Sequence, residues 1–380
     1  MSKVALIRCE SYEYETVKRC IEKGISLLGG VSLFVQKGEK VLLKPNILVG
    51  EAPEKCVTTN PAVFKAVAEI LIKTGVDVTY GDSPAIGKTS KAAKKAGLTQ
   101  AADEINIKLA DFKTGIDVFF DEGLQNRKFT IAKAVFDNDA VISLPKLKTH
   151  GLEKFTGAIK NQFGCIPGVL KGEFHLKLPG ADNFAKMLVD LNKFIKPRLY
   201  IMDGIYGMEG NGPRGGTPKK MNILIFSSDP VALDATVCRL IKVNPKYVPT
   251  TKYGMQAGMG SFREEDIELL GDDFGSFFMD DFKIDRKPIK SYNPGFFSNF
   301  MNNRIVSKPY IEVEKCVRCG VCVSMCPANP KAVFFKDDDK SIVPVYNYDN
   351  CIRCFCCQEI CPESAIRLKT PFLRKIINAI

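Results

Sequence analysis

Nine of the chain's 14 cysteines fall between Cys316 and Cys361, and eight of those nine form one motif written twice. Cys316, Cys319, Cys322 and Cys326 are followed by Pro327, and Cys351, Cys354, Cys357 and Cys361 by Pro362. Each cysteine of the first set recurs 35 residues later, the mark of an internal duplication. Three thiolates in a tight loop hold three corners of an iron–sulfur cubane, and soft sulfur suits iron. In this spacing the fourth corner comes from the other repeat. One [4Fe–4S] cluster is therefore expected on Cys316, Cys319, Cys322 and Cys361, and a second on Cys351, Cys354, Cys357 and Cys326. Folding of the repeats and assembly of the clusters are then one process. Pro327 and Pro362 restrict the chain just past the crossing ligands. A pair of zinc sites would not require four cysteines in this spacing, twice, with a proline after each set. Cys356, beside Cys357, is surplus and reads as a bystander.

Residues 309–368 resemble the bacterial two-cluster ferredoxins, down to Cys361-Pro362-Glu363-Ser364-Ala365-Ile366. The first repeat departs from that ending, because Ala328-Asn329-Pro330-Lys331-Ala332-Val333 carries extra residues. This alters a loop and leaves every ligand in its position. The resemblance implies a small α+β module that passes single electrons through two [4Fe–4S] clusters.

Over residues 1–285, apolar runs alternate with amphipathic ones. Strands are expected at Lys3–Ile7, Lys40–Leu43, Val76–Tyr80, Ala140–Leu144, Arg198–Met202 and Asn222–Phe226. Helices are expected at Glu13–Leu28, Pro61–Lys73, 181–195 and 230–241, with Asn60 and Asp229 as caps before first-turn prolines. Such alternation predicts an α/β domain with a largely parallel sheet, whose ligands lie at the carboxyl ends of strands. Residues 286–308, rich in Asn, Ser, Pro and Phe, read as a linker. Residues 369–380 read as an amphipathic tail, with Phe372, Leu373, Ile376 and Ile377 on one helical face, which could touch a membrane weakly.

Two segments stand where such ligands bind. Pro145-Lys146-Leu147-Lys148-Thr149-His150 and then Thr156 to Cys165 follow the strand that ends at Leu144. Asp203-Gly204 and the glycine-dense Met208 to Gly216 follow the strand that ends at Met202. Glycines at that density mean tight turns or a backbone approached closely by something else. Neither segment matches a Walker loop or a dinucleotide fingerprint, so no nucleotide cofactor is expected from them. Lys44-Pro45-Asn46, Thr59-Asn60-Pro61, Gly81-Asp82-Ser83-Pro84, Pro145 to His150, Gly157 to Asn161, Asp203-Gly204, Glu209 to Pro213 and Asp229 to Asp234 resemble, in order, the family called domain of unknown function 362. That resemblance implies a fold and a frequent companion, the ferredoxin-like module, but no reaction.

Read chemically, Lys146, Lys148 and Lys160 suit an anion as point charges, with Asn161 and Asn211 as further substrate contacts. His150, with Lys148 and Lys160, is the candidate catalytic group, since imidazole titrates near operating pH. The bland reading of Lys-x-Lys-Thr-His is a solvated basic loop. His175 is the only other histidine, Cys165 reads as a small buried thiol, and Asp82 and Asp229 are explained by turns and caps.

The net charge of +11 resides in residues 1–308, which carry +9, against −1 for 309–367 and +3 for 368–380. An acidic substrate or partner suits that balance, and no nucleic-acid module is recognisable. No apolar run reaches the ~18–20 residues of a membrane span, and no secretory signal opens the chain, so a reducing cytoplasm is expected. The leading reading is an oxidoreductase in which two [4Fe–4S] clusters exchange electrons with a small anionic substrate in the α/β domain. The alternative is a non-catalytic electron carrier that docks a ferredoxin- or flavodoxin-type redox partner.

Overall fold

Strand residues that alternate between two buried faces build the large domain. Val41 and Leu43 pack to one side of the sheet and Leu42 to the other, and Ala5 and Ile7 face away from Val4 and Leu6. Burial on both faces makes these strands continuously apolar, as parallel sheets covered by helices require. The computed structural model describes residues 1–290, 292 and 302–371. Residues 291 and 293–301 of the expected linker, and 372–380 of the expected tail, lie outside the described residues.

The described strands are β1 (Ser2–Arg8), β2 (Lys40–Pro45), β3 (Asp77–Tyr80), β4 (Lys108–Leu109), β5 (Gly115–Phe119), β6 (Lys128–Ala132), β7 (Ala140–Leu144), β8 (Lys146–His150), β9 (Lys154–Thr156), β10 (Leu199–Glu209), β11 (Thr217–Ser227), β12 (Ile267–Gly271), β13 (Lys308–Ile311), β14 (Val333–Phe334), β15 (Val345–Tyr346) and β16 (Ile366–Lys369). Ten of them form one sheet in the order β12-β1-β11-β10-β7-β2-β3-β4, with β8 pairing β10 and β9. The sheet is mostly parallel, with antiparallel pairing at β1–β11, β10–β11 and β8–β9. From β2 the chain moves outward to β3, while β7 lies on the other side of β2. The crevice at the carboxyl ends of β2 and β7 is thus a topological switch point, where open α/β sheets bind ligands.

The expected helices form at Tyr14–Leu27, Pro61–Ile72, Ala181–Ile195 and Pro230–Leu240. Asn60 Oδ1 accepts from Ala62 N (2.9 Å), and Asp229 Oδ1 accepts from Val231 and Ala232 N (2.8 and 2.9 Å), so both caps form. Two expectations are corrected. β10 continues to Glu209 instead of ending at Met202, and Lys146–His150 is a buried strand where a solvated loop was one reading.

The C-terminal module is small. β13 pairs antiparallel with β16 and β14 with β15, around short helices at Val321–Ser324 and Cys356–Ile360. It is docked on the large domain, since Phe355 and Leu368 pack into the same apolar cluster as Phe163, Phe184 and Leu188.

Candidate active site

The duplication seen in the cysteines extends to the backbone. Arg318 and Arg353 both adopt left-handed φ (56° and 57°), as do Gly320 and Phe355 (71° and 62°), at equivalent positions 35 residues apart. These turns curl each Cys-x2-Cys-x2-Cys loop back on itself. Cys316, Cys319, Cys322 and Cys361 line one small cavity, which gathers three cysteines of the first repeat with the last of the second. Cys326 packs beside Cys351, Ala328 and Ala332. Backbone N–H groups of Ala332 and Ala365 donate to Cys326 and Cys361 Sγ (3.4 and 3.3 Å), and the Tyr346 hydroxyl donates to Cys357 Sγ (3.3 Å). Burial pushes the Cys322 thiol up to about 12, and Cys361, Cys316 and Cys319 beside it add to the rise. Four sulfurs gathered in this way, one of them accepting from a backbone N–H, are a donor set that fits an iron–sulfur cluster.

The two repeats face different surroundings. In the first, Cys319 is exposed, and Val313 and Val317 are 61% and 58% exposed. In the second, Cys351, Cys357, Arg353 and Phe355 are all buried.

Between the module and the carboxyl ends of the strands lies a cavity of about 910 Å³. Its module wall comprises Met325, Cys356, Glu359 and Ile360. On the sheet side, Lys146, Lys148 and His150 all line it, because alternate residues of a strand share a face. Leu147, between them, points into the core instead. Lys160, Asn161, Lys171 and His175 add to the polar lining, with Lys88, Lys113, Asp82 and Asp111 also on it, and Ile86, Phe112 and Pro167 are among the apolar contributors.

The cations differ in their partners. Lys146 Nζ pairs with Asp203 (2.8 Å) and donates to the Tyr12 hydroxyl (2.7 Å), which itself donates to Asp203 (2.7 Å). Lys148 Nζ donates to Asn46 Oδ1 and the Val57 carbonyl, both at 2.6 Å, and meets no carboxylate there. Burial, reinforced by Lys160 and Lys146, pushes Lys148 down to about 7. Burial also pushes Lys171 down to about 8, while its Nζ donates to the Ser83 carbonyl. Lys160 Nζ lies over the Phe163 and Phe184 rings, 5.4 and 5.6 Å from their centroids.

His150 Nδ1 accepts from the backbone N–H of Leu152 (3.0 Å) and of Glu153 (3.1 Å). Its proton therefore sits on Nε2, which stands 2.8 Å from Glu359 Oε1 of the module. Burial and then Lys160 hold the imidazole below its usual range, so it is neutral. Burial alone would raise the Glu359 carboxyl, but the Nε2–H of the neutral His150 and the charge of Lys160 outweigh it and keep that group ionised.

Of the residues singled out from sequence, His150, Lys146, Lys148, Lys160 and Asn161 meet at the cavity. Asn211 does not. Its Nδ2 donates to the Ile366 carbonyl (3.0 Å) and its Oδ1 accepts from Gln358 Nε2 (2.9 Å), which makes it a clasp on the module. Two glycines have the same explanation, since a Cβ on Gly151 or Gly215 would sit 2.9 Å from Leu368 or 2.6 Å from Ser364, whereas Gly212 and Gly216 are approached by Thr149 and Glu209 of the large domain and Gly210 takes a left-handed φ of 76°. At Gly151 and Gly215 the closely approaching body is the module. Sequence reasoning missed Glu359 and Lys171, each of which reads as an ordinary surface charge. It also missed Lys44, whose pair with Asp82 (2.9 Å) is fully buried.

Fold and cysteine geometry together define an iron–sulfur protein with an α/β domain. Residues 308–362 match a 4Fe-4S dicluster domain, and residues 41–239 match the family described as Domain of unknown function (DUF362), to which the chain belongs. A thylakoid-associated protein of Synechocystis sp. is 36% identical over 251 residues, covering 66% of this chain and 78% of that protein. Among solved structures, the lactate racemase apoprotein of Thermoanaerobacterium thermosaccharolyticum is similar at TM-score 0.41 and 14% identity, over 63% of this chain and 56% of that one. A Thermotoga maritima protein is similar at TM-score 0.40 and 15% identity, over 62% of this chain and 60% of that one. The chain thus spans less than two thirds of either solved structure.

Proposed function

We propose that the protein is an oxidoreductase in which two [4Fe–4S] clusters exchange electrons with an anionic substrate held in the 910 Å³ cavity. One cluster would be held by Cys316, Cys319, Cys322 and Cys361, the other by Cys351, Cys354, Cys357 and Cys326. When bound, the clusters supply one-electron chemistry. The observation that carries the reading is that Met325, Cys356, Glu359 and Ile360, sequence neighbours of the proposed ligands Cys326, Cys357 and Cys361, form a wall of the lysine-lined cavity. Lys160 and Lys171 attract the anion, His150 holds its Nε2 proton toward Glu359 at the cavity wall, and Asn161, whose amide donates to Ser143 Oγ and the Lys44 carbonyl, shapes the site instead of binding the anion. The charge of Lys146 is neutralised by Asp203, so it supports the strand more than the substrate. A redox partner of ferredoxin or flavodoxin type would meet the first repeat, where Val313 and Val317 are exposed around Cys319. A reducing cytoplasm suits this many thiolates. Among the described residues no helix is long and apolar enough to cross a membrane.

The test is anaerobic purification, iron and sulfide analysis, an EPR redox titration, and mass spectrometry of co-purifying small molecules. About eight iron atoms per chain and two reducible centres are expected. Reduced clusters should also be reoxidised by an anionic metabolite. A protein that titrates reversibly but responds to no member of a broad anionic panel is a carrier and not an enzyme.

A further inference from the structure

Lys148 differs from every other cation at the cavity in its bonding. Its side chain is 1% exposed, and it spans from β8 to Asn46 at the end of β2, across the switch point of the sheet. Nζ has two acceptors, Asn46 Oδ1 and the Val57 carbonyl. A neutral amine has two N–H groups, so these contacts use both and leave the lone pair for the cavity that the residue lines. An ammonium would bring a third N–H that meets no acceptor among the described residues. The charges that face it are Lys160, Lys146, Asp82 and Glu359. Asp82 is bonded to Lys44 Nζ and to the Ile47 N–H, and Glu359 lies against His150. A lysine desolvated beside other cations is how proteins make an amine nucleophile at neutral pH.

We propose that Lys148 forms a Schiff base with an oxo acid, its amine joining the carbonyl carbon while Lys160 and Lys171 receive the carboxylate. The inference rests on the reading of this cavity as a substrate site and names the class of substrate. The Nζ lone pair attacks the carbonyl carbon and forms the C–N bond. The carbonyl oxygen leaves as water with the two protons that were on nitrogen, and the imine takes one proton from solvent. The N–H of the resulting iminium keeps one of the two original acceptors. A protonated Schiff base is a stronger electrophile than the carbonyl it replaces, which suits a site fed with electrons. The pKa of about 7 agrees with the bonding pattern, because half of the amine is then free at neutral pH.

The test is reductive trapping. Cluster-loaded full-length protein is incubated anaerobically with pyruvate or 2-oxoglutarate and cyanoborohydride, and modified lysines are mapped by peptide mass spectrometry. One adduct is expected, on Lys148, with a rate that rises about tenfold from pH 6 to 8 and levels off, where an ordinary lysine would climb ~100-fold without a plateau. Lys148→Arg should abolish that adduct with iron content and EPR unchanged, and Lys160→Gln should raise the half-saturating 2-oxoglutarate about tenfold. Adducts scattered over exposed lysines, with Lys148 no faster than they are, overturn the proposal. If Lys148→Arg does not fold, the native pH profile decides: a plateau supports the proposal and a continuous climb overturns it. The redox reading is separable. Labelled Lys148 with clusters that stay reduced sinks electron transfer to oxo acids and keeps the Schiff base, and reoxidation without labelling does the reverse.

Discussion

Glu359 Oε1, carried by the cysteine-rich module, stands 2.8 Å from Nε2 of His150 on a strand of the α/β sheet. One end of the imidazole is fixed by two backbone N–H groups, so the other end faces the module as the protonated nitrogen. If that proton serves the substrate, His150→Gln should slow reoxidation of the reduced clusters by substrate about 100-fold or more. Reduction of the clusters by dithionite should be unaffected, which stopped-flow absorbance separates. An unchanged reoxidation rate would remove His150 from proton handling.

The crossing of ligands has a direct test. Cys326→Ser and Cys351→Ser lie in different repeats, yet both should delete the same EPR signal and lower iron by about half. Cys322→Ser should delete the other signal. Cys356→Ser, at the surplus cysteine, should leave both signals and the iron content intact.

Gly164 sits against a buried ion pair. A Cβ there would lie 1.6 Å from Asp82 Oδ1 and 2.7 Å from Lys44 Nζ. Gly164→Ala should therefore separate these buried charges and destabilise the fold by about 3–5 kcal/mol. Gly172→Ala is the control, since nothing lies within 4 Å of its added carbon and the helix Lys171–Lys177 gains about 0.5–1 kcal/mol. Chemical denaturation of the two variants should bracket the wild type.

His175 predicts a pH dependence. It stacks on Phe184 with centroids 4.2 Å apart, and burial pushes it down to about 3. The unfolded chain binds a proton at this residue near pH 6.5 and the folded chain does not. Its contribution is therefore fully present above that pH and declines as pH falls toward 3, by about 1 kcal/mol between pH 7 and 5.5. His175→Phe should shrink the difference in melting temperature between pH 7.5 and 5.5, whatever it does to the absolute value. An equal difference in both proteins would mean that His175 is protonated in the fold.

Phe355 stands where the first repeat has Gly320, and both are left-handed. A bulky residue costs about 1–2 kcal/mol in that conformation, and its 5% exposed ring returns about 1.5–3 kcal/mol by packing into the large domain. Phe355→Gly should ease the turn but loosen the docking, giving faster limited proteolysis at the junction with iron content retained. Proteolysis at the native rate would show that the clasp of Asn211 and Gln358 suffices alone.

The cysteine register and the order of the main strands were legible because both are local patterns: ligand spacing within a loop, and apolar runs bounded by caps. The site was only partly legible. Lys146, Lys148 and His150 alternate with period two, which is a strand signal, but Pro145 just before them reads as a break and lysines read as solvated. What turns them inward is distant in sequence: Asp203 for Lys146, Asn46 for Lys148 and Glu359 for His150. Asn211 reads as a ligand contact for the same reason, since a glycine-rich loop does not disclose whether a small molecule or a folded module approaches it.

The unequal exposure of the two cysteine repeats has an evolutionary consequence. Copies of one duplicated unit begin under the same constraints, and these no longer share them. Around Cys319, a change at the exposed Val313, or on the outward side of the half-exposed Val317, meets solvent or a visiting partner and no described residue of the α/β domain, so that half is freer to drift and follow a new partner. Around Cys351 and Cys357, a change must also satisfy Gly151, Asn211 and Gly215 across the junction. Across relatives, substitutions should therefore accumulate faster in the first copy than in the second, and changes in the second should be accompanied by changes in the α/β domain.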